Sequence, residues 1–132
     1  MAQQFVLKTL LDFASAHSLR GYPGDCANLH GHNWKIEVEI IGYELNNIGM
    51  VIDFKQIKKH AKEVVAELDH KFLNDLEYFQ TVNPTAENIA QYLFRQIQQR
   101  IEAANVQMHQ ITVWENDRNC VIYSEPTHLS PN

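Results

Sequence analysis

A chain of 132 residues has the length of one domain, and a composition 45% apolar and 20% charged belongs to a globular core, not to a disordered or repetitive segment. Eleven basic against 16 acidic side chains leave a formal charge of −5, and no basic run is longer than Lys58-Lys59. That balance excludes a nucleic-acid backbone as the main partner, since such binding needs a concentrated cationic face; a small anionic substrate needs only a few local cations.

The first strand is expected from Phe5 to His17, where Phe5, Leu7, Leu11, Phe13 and His17 share one parity and Lys8 and Asp12 the other. The stretch ends in Ala14-Ser15-Ala16, which mimics a signal-cleavage site. No cation precedes it, however, and Lys8 and Asp12 break its apolar run. Nor does any segment approach the roughly 18 apolar residues of a membrane span. A cytoplasmic protein without a membrane partner is expected. Residues Ser18 to Leu29 hold Gly21, Pro23, Gly24, Asp25 and Asn28 and read as a loop.

His30, His32, Trp34, Ile36, Val38 and Ile40 alternate with Asn33, Lys35, Glu37 and Glu39, the clearest strand pattern in the chain. Asn46-Asn47-Ile48-Gly49 marks a turn. Asp53 with Gln56 predicts a capping box opening a helix whose apolar stripe is Phe54, Ile57, Ala61, Val64, Val65 and Leu68. Asp69-His70 falls at its end, and a polar connection follows. Asn83-Pro84-Thr85 predicts a second helix start, with Ala86, Ile89, Leu93, Ile97 and Ile101 on one face and Asn105 as the stop. Ile111 to Glu115 and Cys120 to Tyr123 read as a closing hairpin. The order is β-β-α-α-β-β: an α+β fold in which two helices cover one face of a four-stranded antiparallel sheet. One domain over residues 1–125 is expected, followed by a flexible tail at 126–132. The two sheet edges invite oligomerisation.

The chemistry concentrates in Cys26-Ala27-Asn28-Leu29-His30-Gly31-His32. Residues two apart in an extended segment face the same way, so His30 and His32 can meet one ion. His17 ends the preceding strand on its core-facing parity. If those strands pair, three imidazoles converge, and three protein ligands with an open fourth position describe a catalytic zinc. A His-x-His alone more often marks hydrogen-bonded histidines; the third histidine and the nearby thiol make a Zn2+ site the stronger reading. Cys26 is either a fourth ligand or a base or nucleophile whose thiolate the ion favours. Cys120, inside a strand-like run, suits a buried small hydrophobe, and both thiols are expected reduced. Asp69-His70 is either a histidine on a helix dipole or a carboxylate–imidazole proton relay. Glu115 is either solvated or able to grip a flat ring that presents two N–H donors.

In order, His17, Cys26-x-x-x-His30-Gly31-His32, Gly49-Met50-Val51-Ile52-Asp53-Phe54, Leu68-Asp69-His70, Pro84-Thr85-Ala86-Glu87-Asn88 and Glu115 span nearly the whole chain. This set resembles the 6-pyruvoyl-tetrahydropterin synthase family, and within it the bacterial-type 6-carboxy-tetrahydropterin synthases. The resemblance implies a tunnelling fold whose subunits close their sheets into a barrel, with trimers stacking into a homohexamer and active sites between subunits. It implies zinc on His17, His30 and His32, Cys26 as proton-abstracting base, His70 with Asp69 as proton relay, Glu115 as anchor of the pterin ring, and Thr85 in the pterin-lining segment. Three residues separate Cys26 from His30, as in the carboxy enzymes. The implied reaction is zinc-dependent lysis of 7,8-dihydroneopterin triphosphate to 6-carboxy-5,6,7,8-tetrahydropterin, acetaldehyde and triphosphate, on the route to queuosine and other 7-deazapurines. Arg20, Lys71 and Arg118 are candidates for the triphosphate. The rival expectations are a 6-pyruvoyl-tetrahydropterin synthase or related side-chain lyase and, from another class, a non-catalytic zinc- or pterin-binding module.

Overall fold

The computed structural model describes residues 3–24, 27–101, 103 and 105–126. From residue 127 on, the expected tail lies outside them. The long first strand forms as its alternation predicts: β1 (Phe5–His17) runs antiparallel to β2 (His30–Gly42), in unbroken register from Phe5 opposite Gly42 to His17 opposite His30. One parity carries Phe13, Trp34, Ile36, Val38 and Ile40 into the core. The other carries Lys8, Asp12, Lys35 and Glu37.

Helix α1 (Phe54–Leu68) starts at Asp53, whose side chain accepts from the Lys55 amide and so satisfies one of the free N–H groups of the first turn. It buries Ile57, Ala61, Val64, Val65 and Leu68 against the sheet, the stripe read from the sequence except that Phe54 stays exposed. The expected polar connection holds more structure than predicted. Lys71–Phe72 form a two-residue strand, β3, parallel to Ser15–Ala16 of β1; a 3-10 turn (Leu73–Asp75) and a short helix α2 (Glu77–Thr81) follow. These pieces are too short for any periodicity to reveal, and Leu73 and Phe79 anchor them in the core.

Helix α3 (Ala86–Arg100) is capped by the Thr85 side chain, which accepts from the Asn88 amide, and it buries Ala86, Ile89, Ala90, Leu93, Phe94 and Ile97. It ends before Asn105, which turns the chain into β4 with a φ of 66°, a left-handed conformation that asparagine tolerates better than most residues.

Strand β4 (Val106–Trp114) begins well before the expected Ile111. Its early half escapes a period-two reading because the register slips: Glu39 pairs with Gln110 but Ile40 with Met108, leaving His109 as the extra residue of a bulge within the strand. Strand β5 (Cys120–Tyr123) completes the hairpin. Cys120 is exposed and free, not buried, because its pairing with Trp114 puts it on the uncovered sheet face. The sheet order is β3-β1-β2-β4-β5: the four expected antiparallel strands plus one short parallel edge. Both long helices pack on one face over a single core cluster. Among the described residues, no helix is long and apolar enough to cross a membrane.

Candidate metal centre and active site

The hairpin register decides the geometry of the cluster. His17 lies directly opposite His30, and His32 faces Ser15, one step along the core-facing parity. The three rings consequently crowd together, with centroids 4.4 Å (His17–His30), 5.2 Å (His17–His32) and 4.8 Å (His30–His32) apart. Below them Trp34 sets its ring edge-on at 5.1 Å from His17 and 5.2 Å from His32. This fully buried indole, whose Nε1–H has no hydrogen-bond partner among the described residues, forms the floor of the cluster.

Hydrogen bonds fix which nitrogen two of the rings, His17 and His30, offer. His17 Nδ1 lies 2.7 Å from the Pro84 carbonyl and His30 Nδ1 lies 2.7 Å from the Asn28 carbonyl. A carbonyl only accepts, so each Nδ1 must carry the proton, and each Nε2 keeps its lone pair. Among the described residues, Nε2 of His17 and of His32 is buried without a hydrogen-bond partner. Buried polar atoms are seldom orphaned, so two of them in one cluster call for a missing partner. Neutral imidazoles whose far nitrogens are held by carbonyls are the usual dress of metal ligands. His17, His30, His32 and Glu115 together present ligand atoms within 4.8 Å of one another, so the residues present fit a metal ion. Burial lowers the His17 pKa, opposed by the Pro84 bond, and burial likewise lowers that of His32, opposed by the Glu115 charge. Both shifts favour the neutral rings that a metal needs.

Two asparagines hold the chain just beyond His17. The Asn74 amide accepts from Ser18 N at 3.0 Å and donates to Ser18 O at 2.9 Å. Asn83 does the same for Arg20, at 3.0 and 3.2 Å. Each side chain thus imitates a strand partner for a loop that has none. Asn83 adjoins Pro84, and its own carbonyl accepts from Thr85 N and from the Asn88 side chain. The start of α3 therefore sets both the His17 ring and the loop that leads toward Cys26. The sequence offers these asparagines as turn formers; their pairing with a loop 55 or more residues away leaves no local signal.

The other expected site residues divide. Glu115 joins the cluster, with Oε1 3.3 Å from His32 Nε2. Thr85 caps α3 next to Pro84. Cys26 lies outside the described residues. Asp69 and His70 form a pair, with Asp69 Oδ2 3.0 Å from His70 Nδ1, but they do not belong to the histidine cluster. Asp69 Oδ1 accepts from the Ala14 amide at 2.9 Å, and that bond, more than His70, holds its carboxyl below the usual range. His70 sits in a left-handed conformation, φ 58°, with its side chain 82% exposed. It borders a hollow of ≈ 480 Å³ lined by Ala14, Ala16, Gly31, Asn33 and Phe72, with Ser15, His32 and Lys71. Ala14, Ala16, Gly31 and Asn33 have the parity opposite to the three clustered histidines, whereas Ser15 and His32 share the histidines' parity, so the hollow beside His70 draws on residues of both parities. Arg20, a triphosphate candidate, donates from its guanidinium to the Phe79 carbonyl at 2.5 Å and ties the loop to α2.

Residues 7–126 match the 6-pyruvoyl tetrahydropterin synthase family. A protein of Archaeoglobus fulgidus is 36% identical over 117 residues, covering 89% of this chain and 93% of its own length. The 6-carboxy-5,6,7,8-tetrahydropterin synthase of Haemophilus influenzae is 31% identical over 144 residues, covering 92% of this chain and 99% of its own length. The human 6-pyruvoyl tetrahydrobiopterin synthase is 36% identical over 104 residues, 76% of this chain and 70% of its own. Among solved structures, the Caenorhabditis elegans 6-pyruvoyl tetrahydropterin synthase superposes with a TM-score of 0.85 at 27% identity, covering 95% of this chain and 98% of that one. The histidine cluster thus sits in a fold and a sequence of one kind: the chain belongs to the 6-pyruvoyl tetrahydropterin synthase family.

Proposed function

We propose that this chain is a zinc-dependent lyase that converts 7,8-dihydroneopterin triphosphate to 6-carboxy-5,6,7,8-tetrahydropterin, acetaldehyde and triphosphate, and so serves queuosine and related 7-deazapurine synthesis. The observation that carries the proposal is the convergence of three imidazoles with two unpartnered, buried Nε2 atoms. The carboxy product is favoured over the pyruvoyl one by the three-residue gap between Cys26 and His30 and by the length-matched Haemophilus relative.

His17, His30 and His32 would hold the zinc, which when bound supplies Lewis acidity toward substrate oxygens. Cys26, as thiolate, takes the proton from the adjoining side-chain carbon, a step worth roughly 10²–10⁴-fold when the base is positioned. Glu115 anchors the two N–H donors of the pterin ring, and Thr85 lines its pocket. His70, paired with Asp69, relays the proton. Asp69 and His70 are not among the clustered ligand groups, and in this reading they serve the cluster of a neighbouring copy, in a homohexamer with sites between subunits. The reaction places the chain in the cytoplasm, where the nucleotide-derived substrate arises.

The test is to incubate the purified protein with dihydroneopterin triphosphate and assay acetaldehyde. Stoichiometric acetaldehyde supports the carboxy reaction. A pterin product formed without acetaldehyde assigns the pyruvoyl reaction, and no turnover by the metal-loaded protein leaves a binding module.

A further inference from the structure

Glu115 is the residue of the cluster whose placement its pterin-anchoring role does not explain. It begins the β4–β5 turn, where its backbone amide donates to the Asn119 carbonyl at 3.1 Å, so its side chain springs from a closed turn. Its Oε1 stands 3.3 Å from His32 Nε2, close enough for a hydrogen bond, yet among the described residues that nitrogen makes none with it or with any other group. The contact is therefore not an N–H donor pointing at a carboxylate.

Two acceptor atoms approach this way when both point at a third body. Zinc bonds of about 2.0–2.2 Å in tetrahedral array set neighbouring ligand atoms ~3.4 Å apart. The observed separation agrees, and Glu115 completes a set of four ligand atoms with the histidines.

We infer that Glu115 is a fourth metal ligand of the substrate-free protein, closing the site that the three histidines leave open. The inference rests on the three-histidine reading proposed above. It gives the carboxylate two employments that exclude each other, because an oxygen held by the ion is not free to grip a pterin ring.

The experiment compares the full-length wild type with Glu115→Ala and His32→Ala. Zinc affinity is measured by competition with a chromophoric chelator, and the visible bands of the Co2+-loaded protein are recorded. Circular dichroism confirms that each variant is folded. The expected result is a loss of zinc affinity on the order of 10–100-fold in Glu115→Ala. Altered cobalt bands should accompany it, with still weaker binding in His32→Ala. If Glu115→Ala binds zinc like the wild type, or binds it less tightly with unchanged cobalt bands, the carboxylate acts at most through its charge and the inference fails while the histidine site stands. If His32→Ala keeps wild-type affinity, the three-histidine reading itself fails.

Discussion

At the level of single residues, the site combines groups that stabilise the fold with groups that cost it. His17 is fully buried, and burial lowers its pKa, as it does for His32. A histidine whose folded pKa is depressed binds fewer protons when folded than when unfolded. Its stabilisation is therefore whole above the unfolded value of about 6.5 and falls away as pH drops below it toward the depressed folded value. Metal-free protein should accordingly lose thermal stability below that pH, and bound zinc should leave over the same descending range. Thermal midpoints and chelator-free dialysis across pH 5–8 would check both, an expected window of roughly that width about the histidine value. His70 shows the opposite economy. Its left-handed backbone costs about 1 kcal/mol for a residue with a Cβ. His70→Gly should raise stability by ~1 kcal/mol in urea titrations while removing most turnover; a loss of stability would mean that the conformation carries no strain. Cys26→Ala should keep its zinc and lose about 10²–10⁴-fold in kcat, and metal loss instead would make the thiol a ligand.

At the scale of elements, the sequence reveals what is periodic. β1, β2 and both long helices follow directly from alternation, stripes and start signals, with Asp53 as the expected cap; the second start was read only as Asn83-Pro84-Thr85, of which Thr85 is the cap. The start of β4 was hidden because the bulge at His109 breaks its alternation, and β3 and α2 are set by contacts with β1 and the core, not by local pattern. The asparagine clasps were hidden for the same reason. Asn83→Ala removes both bonds to Arg20 and should cost ~1–3 kcal/mol, at about 0.5–1.5 kcal/mol for each bond. Asn83→Asp, which can still accept from Arg20 N, should lose less; equal losses would show that acceptance contributes nothing. Gly42 is constrained by space: an added Cβ would sit 3.3 Å from the Asn105 carbonyl oxygen and nearer than that to Val51 Cγ1, held at 2.5 Å. Gly42→Ala should destabilise by about 1–3 kcal/mol through overpacking.

Across the whole molecule, the histidine triad was legible because strand parity puts His30 and His32 on one side and pairing of the two strands brings His17 to them. What parity could not tell is where the Asp69-His70 pair would lie, since that depends on β3 docking beside β1. The proposed relay of Asp69 and His70, which are not among the clustered ligand groups, makes a site shared with a neighbouring copy the proposal to test. Mixed oligomers provide the check. Cys26→Ala and His70→Ala proteins, each inactive alone, should regain part of their activity when dissociated together and reassembled, whereas mixtures that stay inactive would put the relay in the same subunit as the thiol.

The central claim is that one ion sits among three histidines. Crystals of the zinc-loaded protein, with an anomalous difference map recorded at the zinc edge, test it most directly. A single strong peak in contact with Nε2 of His17, His30 and His32 is expected. A peak elsewhere, or rings turned away from one another with no density between them, contradicts it.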